Sequence, residues 1–271
     1  MIIYLIKSTL SLSAFLLVYY VVFERENMHV FKRFYLLFSL AFSFIVPFIS
    51  FEFQGKNAIA VASNSVQAVI LPTLEISTKT NYFPTLIYFL YGIITFLFAI
   101  RFFRNLYEIR KTKKNAEIIT YENAELALTN EQILPHTFGT TIFINKQSYN
   151  SKLLESELFT HELTHVRQKH TLDVLLIEIL KTIFWFNPLL ILYKRAIQLN
   201  HEFLADERVI RSHENILTYQ KLLLSKSIQP SNFYLTSNLT SFLKTKKRFI
   251  MMTKTTSKVR ERLSQLFIIP V

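Results

Sequence analysis

Three long apolar runs near the N-terminus restrict this chain more than any other feature. Ile3 to Phe23 carries a single charge, Lys7, and the runs Phe34 to Phe51 and Tyr82 to Ile100 carry none. Each holds about 20 residues, which as a helix crosses a hydrocarbon layer of roughly 30 Å. Composition agrees: 51% of residues are hydrophobic, and 26 Phe stand against 3 Gly, a balance that suits membrane spans better than a soluble core. Pro47 lies inside the second run and is tolerable in a membrane helix. No small-residue cleavage site follows the first run, so it reads as an uncleaved anchor.

The loops give an orientation. Arg25, Lys32 and Arg33 lie between the first two runs, and Arg101, Arg104, Arg110, Lys111, Lys113 and Lys114 follow the third. The 52–81 segment holds only Lys56 and Lys79. The positive-inside rule therefore places the N-terminus outside, 52–81 outside, and everything after the third span in the cytoplasm of a multi-pass cell-membrane (inner-membrane) protein. The formal net charge of +12 fits basic loops facing an anionic leaflet. No recognisable nucleic-acid fold accompanies it, so the expected partners are the lipid bilayer and a protein substrate, with no direct nucleic acid. A homodimer is compatible with the sequence.

The expected organisation has a membrane domain, 1–115, with spans 3–23, 34–51 and 82–100, the outside loop 52–81 and a basic linker 101–115. A cytoplasmic domain follows over 116–262. Residues 263–271 (LSQLFIIPV) read as the stub of a fourth span cut short. Within the second domain, 117–121 and 124–129 read as strands joined at Glu122-Asn123, and 141–145 as a third strand after a turn at Pro135 to Gly139. A helix starts near Leu153 or Glu155. Val174 to Tyr193 is apolar, but Glu178, Lys181 and the Asn187-Pro188 break make a simple crossing unfavourable.

The chemistry lies at 161–165, His-Glu-Leu-Thr-His. On a helix, positions i and i+4 share a face, so His161 and His165 can hold one zinc ion, with Glu162 beside the open position as general base. Shuffled chains of this composition give such a motif with a probability of roughly 0.01, so a second feature is needed. It comes at 201–207, His-Glu-Phe-Leu-Ala-Asp-Glu. Glu202 can supply the third ligand, and Asp206, one turn on, can orient a ligand imidazole. Ala205 is small enough for two helices to approach closely. The chain has two Asp, 173 and 206, both in this region, and no Cys, which removes thiolate sites. A zinc shared by His161 and Glu202 requires that 174–193 either does not span or enters and returns at Asn187-Pro188. His170 and His201 flank the motifs and read as non-ligands. Tyr219 and Arg208 read as packing or solvent-facing residues rather than groups that polarise a substrate carbonyl. Ile142, Phe143 and Ile144, just before the catalytic helix, read either as an edge strand on which a peptide could be held extended or as a paired interior strand.

The stretches HELTHVRQKHTLDVLL, FWFNPLL and NHEFLADERVI, preceded by PHTFG and TIFIN, resemble the BlaR/MecR family of membrane metallopeptidases, antirepressor signal transducers. The resemblance implies one zinc per chain held by His161, His165 and Glu202, with Glu162 as base and Asp206 beside the metal. It also implies proteolysis that removes a cytoplasmic regulator such as a transcriptional repressor. The expected fold class is a mainly α membrane protein: three transmembrane helices plus a cytoplasmic α+β, zincin-like domain of the gluzincin type (HExxH…E). The competing reading is a non-catalytic membrane signalling or scaffold protein that keeps a structural metal site. Glu162 speaks against it, because a purely structural site has no use for a base. A transporter is disfavoured by spans without charged residues at their centres and by the lack of an internal repeat in the sequence.

Overall fold

The computed structural model describes residues 2–49, 82–151, 155–213, 215–228 and 235–254. The loop expected outside the membrane, 52–81, and the expected stub, 263–271, lie outside the described residues. Three helical stretches are long and apolar enough to cross a membrane: Ile3–Phe23, His29–Phe48 and Phe83–Asn115. The first comprises α1 (Ile2–Val18) and a π-helical turn, Tyr19–Phe23. The second comprises α2 (His29–Ile45) and a tight turn at Val46–Phe48, where Pro47 ends the helix. The two run antiparallel: Tyr4 Oη donates to Phe44 O at one end, and Tyr35 Oη donates to Phe15 O nearer the other.

The second span begins at His29, earlier than the apolar run, so Lys32 and Arg33 belong to its first turns. The expected linker 101–115 is helical throughout, continuous with span three as α3 (Phe83–Asn115). At about 1.5 Å per residue, this helix reaches far beyond a bilayer core of roughly 30 Å.

A four-stranded sheet follows, in the order β1-β2-β4-β3. β1 (Glu117–Tyr121) and β2 (Ala124–Thr129) form an antiparallel hairpin, with Glu122 at φ 48 in the turn. β4 (Thr141–Asn145) runs parallel to β2. β3 (His136–Phe138) pairs antiparallel with β4 across a turn where Gly139 takes φ +64, a conformation that favours glycine. The sequence reading placed β1, β2 and β4 but took 135–139 only as a turn. It left β4 open between an edge and a paired interior strand. Both sides of β4 are paired and Ile142, Phe143 and Ile144 are buried, so these residues have no free backbone edge to offer a peptide. The edges of the sheet are β1 and β3, and β3 is the one that packs beside α5.

After the short helix α4 (Lys146–Asn150) comes α5 (Ser156–Arg167). Its Leu163 and Val166 pack on Leu126, Leu128, Ile142 and Ile144 of the sheet. α6 (His170–Ile183) and α7 (Leu189–Ser212) form a helical hairpin broken at Asn187-Pro188. Asn187 Oδ1 accepts from Leu189 N, the first residue of α7, while its Nδ2 donates to Thr9 Oγ1 at 3.3 Å. Phe184 stacks on Phe44 at 4.7 Å. Ile177, Leu190, Tyr193, Ala196 and Ile197 share one core with Leu12, Leu16, Tyr19, Leu36 and Leu40 of the spans. The hairpin thus lies along α1 and α2, with its tip close to the start of α1 and the end of α2. Glu178 pairs with both Lys181 and Lys194, which offsets the cost of partly burying these charges.

α8 (Ile216–Ile228) and α9 (Leu235–Thr253) complete the described chain. Tyr219 and Leu223 of α8 pack with Val209 of α7, and Phe249 and Met252 of α9 join them. Lys247 of α9 also pairs with Glu24, just after the first span, at 2.6 Å.

Candidate metal centre

α5 crosses α7 beside Ala205, which is wholly buried and leaves room for the close approach. That crossing brings the two motifs together. His161 Nε2 and His165 Nε2 lie 3.2 Å apart. The Glu202 carboxylate lies 3.3 Å from the first and 3.8 Å from the second. These three residues are the one group of metal-ligating side chains found among the described residues. Two imidazole nitrogens bound tetrahedrally at about 2.0–2.1 Å from zinc sit roughly 3.3 Å apart, so the spacing of the donors fits that ion. Glu202 offers a carboxylate as a third donor, in keeping with a chain that has no Cys.

Glu162 is buried on the same helix. Its Oε2 accepts from Thr137 Oγ1 at 2.7 Å, which ties it to edge strand β3. Burial pushes the Glu162 carboxyl up to about 7, with His161 and the Thr137 hydrogen bond opposing. A group held there can both take and return a proton near neutrality. Burial, then the charge of His161, lowers His165 to about 3, leaving its lone pair available. His161 rises to about 9, because Asp206 and Glu202 outweigh its burial. A metal cation among those carboxylates competes with that proton.

Asp206 lies behind His161, Oδ1 to Nδ1 3.3 Å. Tyr219 joins them: its hydroxyl donates to Asp206 Oδ1 at 2.8 Å and sits 2.9 Å from His161 Nδ1. Arg248 of α9 donates to both Asp206 oxygens, 2.8 and 2.5 Å, and reaches Glu202 Oε2 at 3.0 Å. Burial resists ionisation of Glu202 and Asp206, but the Arg248 guanidinium helps hold both carboxyls below the usual range. Tyr219 is thus buried and hydrogen-bonded at the centre, and Arg208 is exposed. Neither His170 nor His201 belongs to the ligand triangle: His170 stands behind His165 and His201 hydrogen-bonds Asp173.

A cleft of about 390 Å³ opens over His165 and Glu202, lined also by Thr137, Phe138, Lys244 and Arg248. Sequence reasoning missed Arg248, Thr137 and the partners of Asp173. The scarcity of Asp was the available signal, because each of the two Asp turns out to be a buried acceptor beside the site.

The family model described as BlaR1 peptidase M56 matches residues 7–252, from the first span through α9. No curated protein matches the sequence.

Proposed function

The chain belongs to the BlaR1 peptidase M56 family, and from that membership and the metal centre we propose that it is a membrane-anchored, zinc-dependent endopeptidase acting in signal transduction. The observation that carries this reading is the triangle of His161, His165 and Glu202, spaced for zinc, with Glu162 on the same helix. Zinc in such a site supplies Lewis acidity toward a carbonyl and toward water.

The protein's own groups do the rest. The free edge of β3 holds an extended peptide by backbone hydrogen bonds, in the cleft that Phe138 lines. Glu162 takes a proton from the attacking water at its carboxylate and passes it to the leaving amine. Thr137 keeps that carboxylate aimed and ties it to the strand that binds the peptide. Asp206 and Tyr219 fix the ring of His161.

The substrate is a cytoplasmic regulator, such as a transcriptional repressor, and the N-terminus lies outside the cell membrane with the catalytic domain in the cytoplasm. The α6–α7 hairpin enters the bilayer from the cytoplasmic side and returns, so that His161 and Glu202 stay on one face. N-terminal proteomics of cells expressing wild type or Glu162→Gln tests the activity. New protein N-termini should arise only with wild type. Identical N-termini in both strains would remove the peptidase reading.

A further inference from the structure

A path of contacts joins the back of His165 to the second membrane span, and none of its members is a ligand. His165 Nδ1 and His170 Nδ1 are 2.8 Å apart. If Nε2 of His165 faces the metal, its proton is on Nδ1, and His170 Nδ1 must accept. His170 then carries its own proton on Nε2, where Gln168 Oε1 accepts it at 3.1 Å. Every donor on this side thus has an acceptor, with both tautomers fixed.

The His170 ring lies flat against that of His201, centroids 4.0 Å apart and planes within 6°. His201 Nε2 donates to Asp173 Oδ2 at 2.8 Å. Asp173 is in turn forked by Arg33, whose Nε and Nη2 reach its two oxygens at 2.7 and 3.2 Å. The same Arg33 Nη2 donates to Gln168 O at 2.8 Å. Gln168 caps α5, and Lys169, at φ 53, begins the turn into α6. One side chain of α2 therefore holds both the turn that presents His170 and the acid that fixes the ring stacked on it. His170, His201 and Asp173 are all buried, and His170 and His201 also line the cleft over the metal centre.

We propose that Arg33 is a positioning residue for the zinc ligand His165, acting through Asp173, His201 and His170, so that a displacement of span two changes the metal site. The proposal rests on the zinc reading above. It makes this ion pair the place where an event in the membrane is felt by the peptidase. A bidentate guanidinium–carboxylate pair suits the task because it fixes angle as well as distance.

The full chain in lipid nanodiscs provides the test, by zinc affinity against a chelator and by the visible spectrum of the cobalt-loaded protein. Arg33→Gln and Asp173→Asn should each weaken zinc binding about 10- to 100-fold and shift the cobalt bands. The double variant should be no worse than the weaker single. His170→Phe should match them, whereas His170→Asn, which restores an acceptor near Nδ1, should recover most of the affinity. Arg33→Lys, which keeps the charge without the fork, should fall between and guards against a variant that fails to fold. Glu122→Gln removes an exposed pair with Arg167 on the other side of α5 and should change nothing. If wild type binds zinc and Arg33→Gln and Asp173→Asn bind it equally well with an unchanged cobalt spectrum, the link to span two is wrong and the site stands. If wild type binds no zinc, the site itself is wrong and the link falls with it.

Discussion

The Tyr219 hydroxyl bridges Asp206 and His161, donating to the carboxylate at 2.8 Å while lying 2.9 Å from the imidazole Nδ1. Were His161 Nε2 to hold a metal, the Nδ1 proton would have the tyrosine oxygen as its nearest acceptor, and Asp206 would act largely through that hydroxyl. Tyr219→Phe removes the bridge but keeps the ring packed on Val209. We expect zinc affinity to fall by about tenfold and stability by about 1 kcal/mol. Chelator competition and thermal unfolding measure the two. An unchanged zinc affinity would mean that Asp206 orients His161 without help.

Thr137 has a different task, because it touches the base and no ligand. Its hydrogen bond lowers the pKa of Glu162, which burial has raised to about 7. In Thr137→Val the carboxyl should therefore rise further, and a smaller fraction is ionised at neutral pH. The acidic limb of the pH–rate profile should move to higher pH while zinc content stays at the wild-type level. A limb that stays in place, or moves to lower pH, would separate Glu162 from the rate.

The hairpin tip can be located directly. Trp185 is the single Trp of the chain and stacks on Tyr91 and Phe98 of span three. Brominated lipids should quench its fluorescence, and aqueous acrylamide should quench it weakly. The absence of native Cys permits a companion test: Cys introduced at Lys113 or Ser212 should label only after cells are permeabilised. Strong acrylamide quenching would place the hairpin outside the bilayer. Labelling of Ser212→Cys in intact cells would place Glu202 on the wrong side for His161.

Much of this architecture was legible because it is written in local patterns. Long apolar runs with at most one charge marked the three candidate spans, the i, i+4 pairs marked the faces on which α5 and α7 meet, and Asn187-Pro188 marked the break between α6 and α7. The misreadings have a common physical origin. β3 is three residues between Pro135 and Gly139, where turn chemistry outweighs strand propensity. β4 stayed open between edge and interior because pairing depends on which strand returns to it, and β2 lies across a crossover that strand propensity does not encode. Its central Ile-Phe-Ile was nevertheless a hint, since interior strands are apolar on both faces. Arg248 lies in the basic run from Lys244 to Arg248 and looks like one more leaflet-facing charge. Its role arises only when α9 folds back to bring it against Asp206, 42 residues earlier. Arg33 was read for topology alone, and its contact with Asp173 spans 140 residues.

Metal content of the purified protein bears most directly on the central claim, that His161, His165 and Glu202 hold a catalytic zinc with Glu162 as a base and not a ligand. Mass spectrometry of wild type should give about one zinc per chain, and Glu162→Gln should keep it. His161→Ala and Glu202→Gln should each lose most of it while remaining folded. Full zinc in both of those variants, or its loss in Glu162→Gln alone, would contradict the assignment.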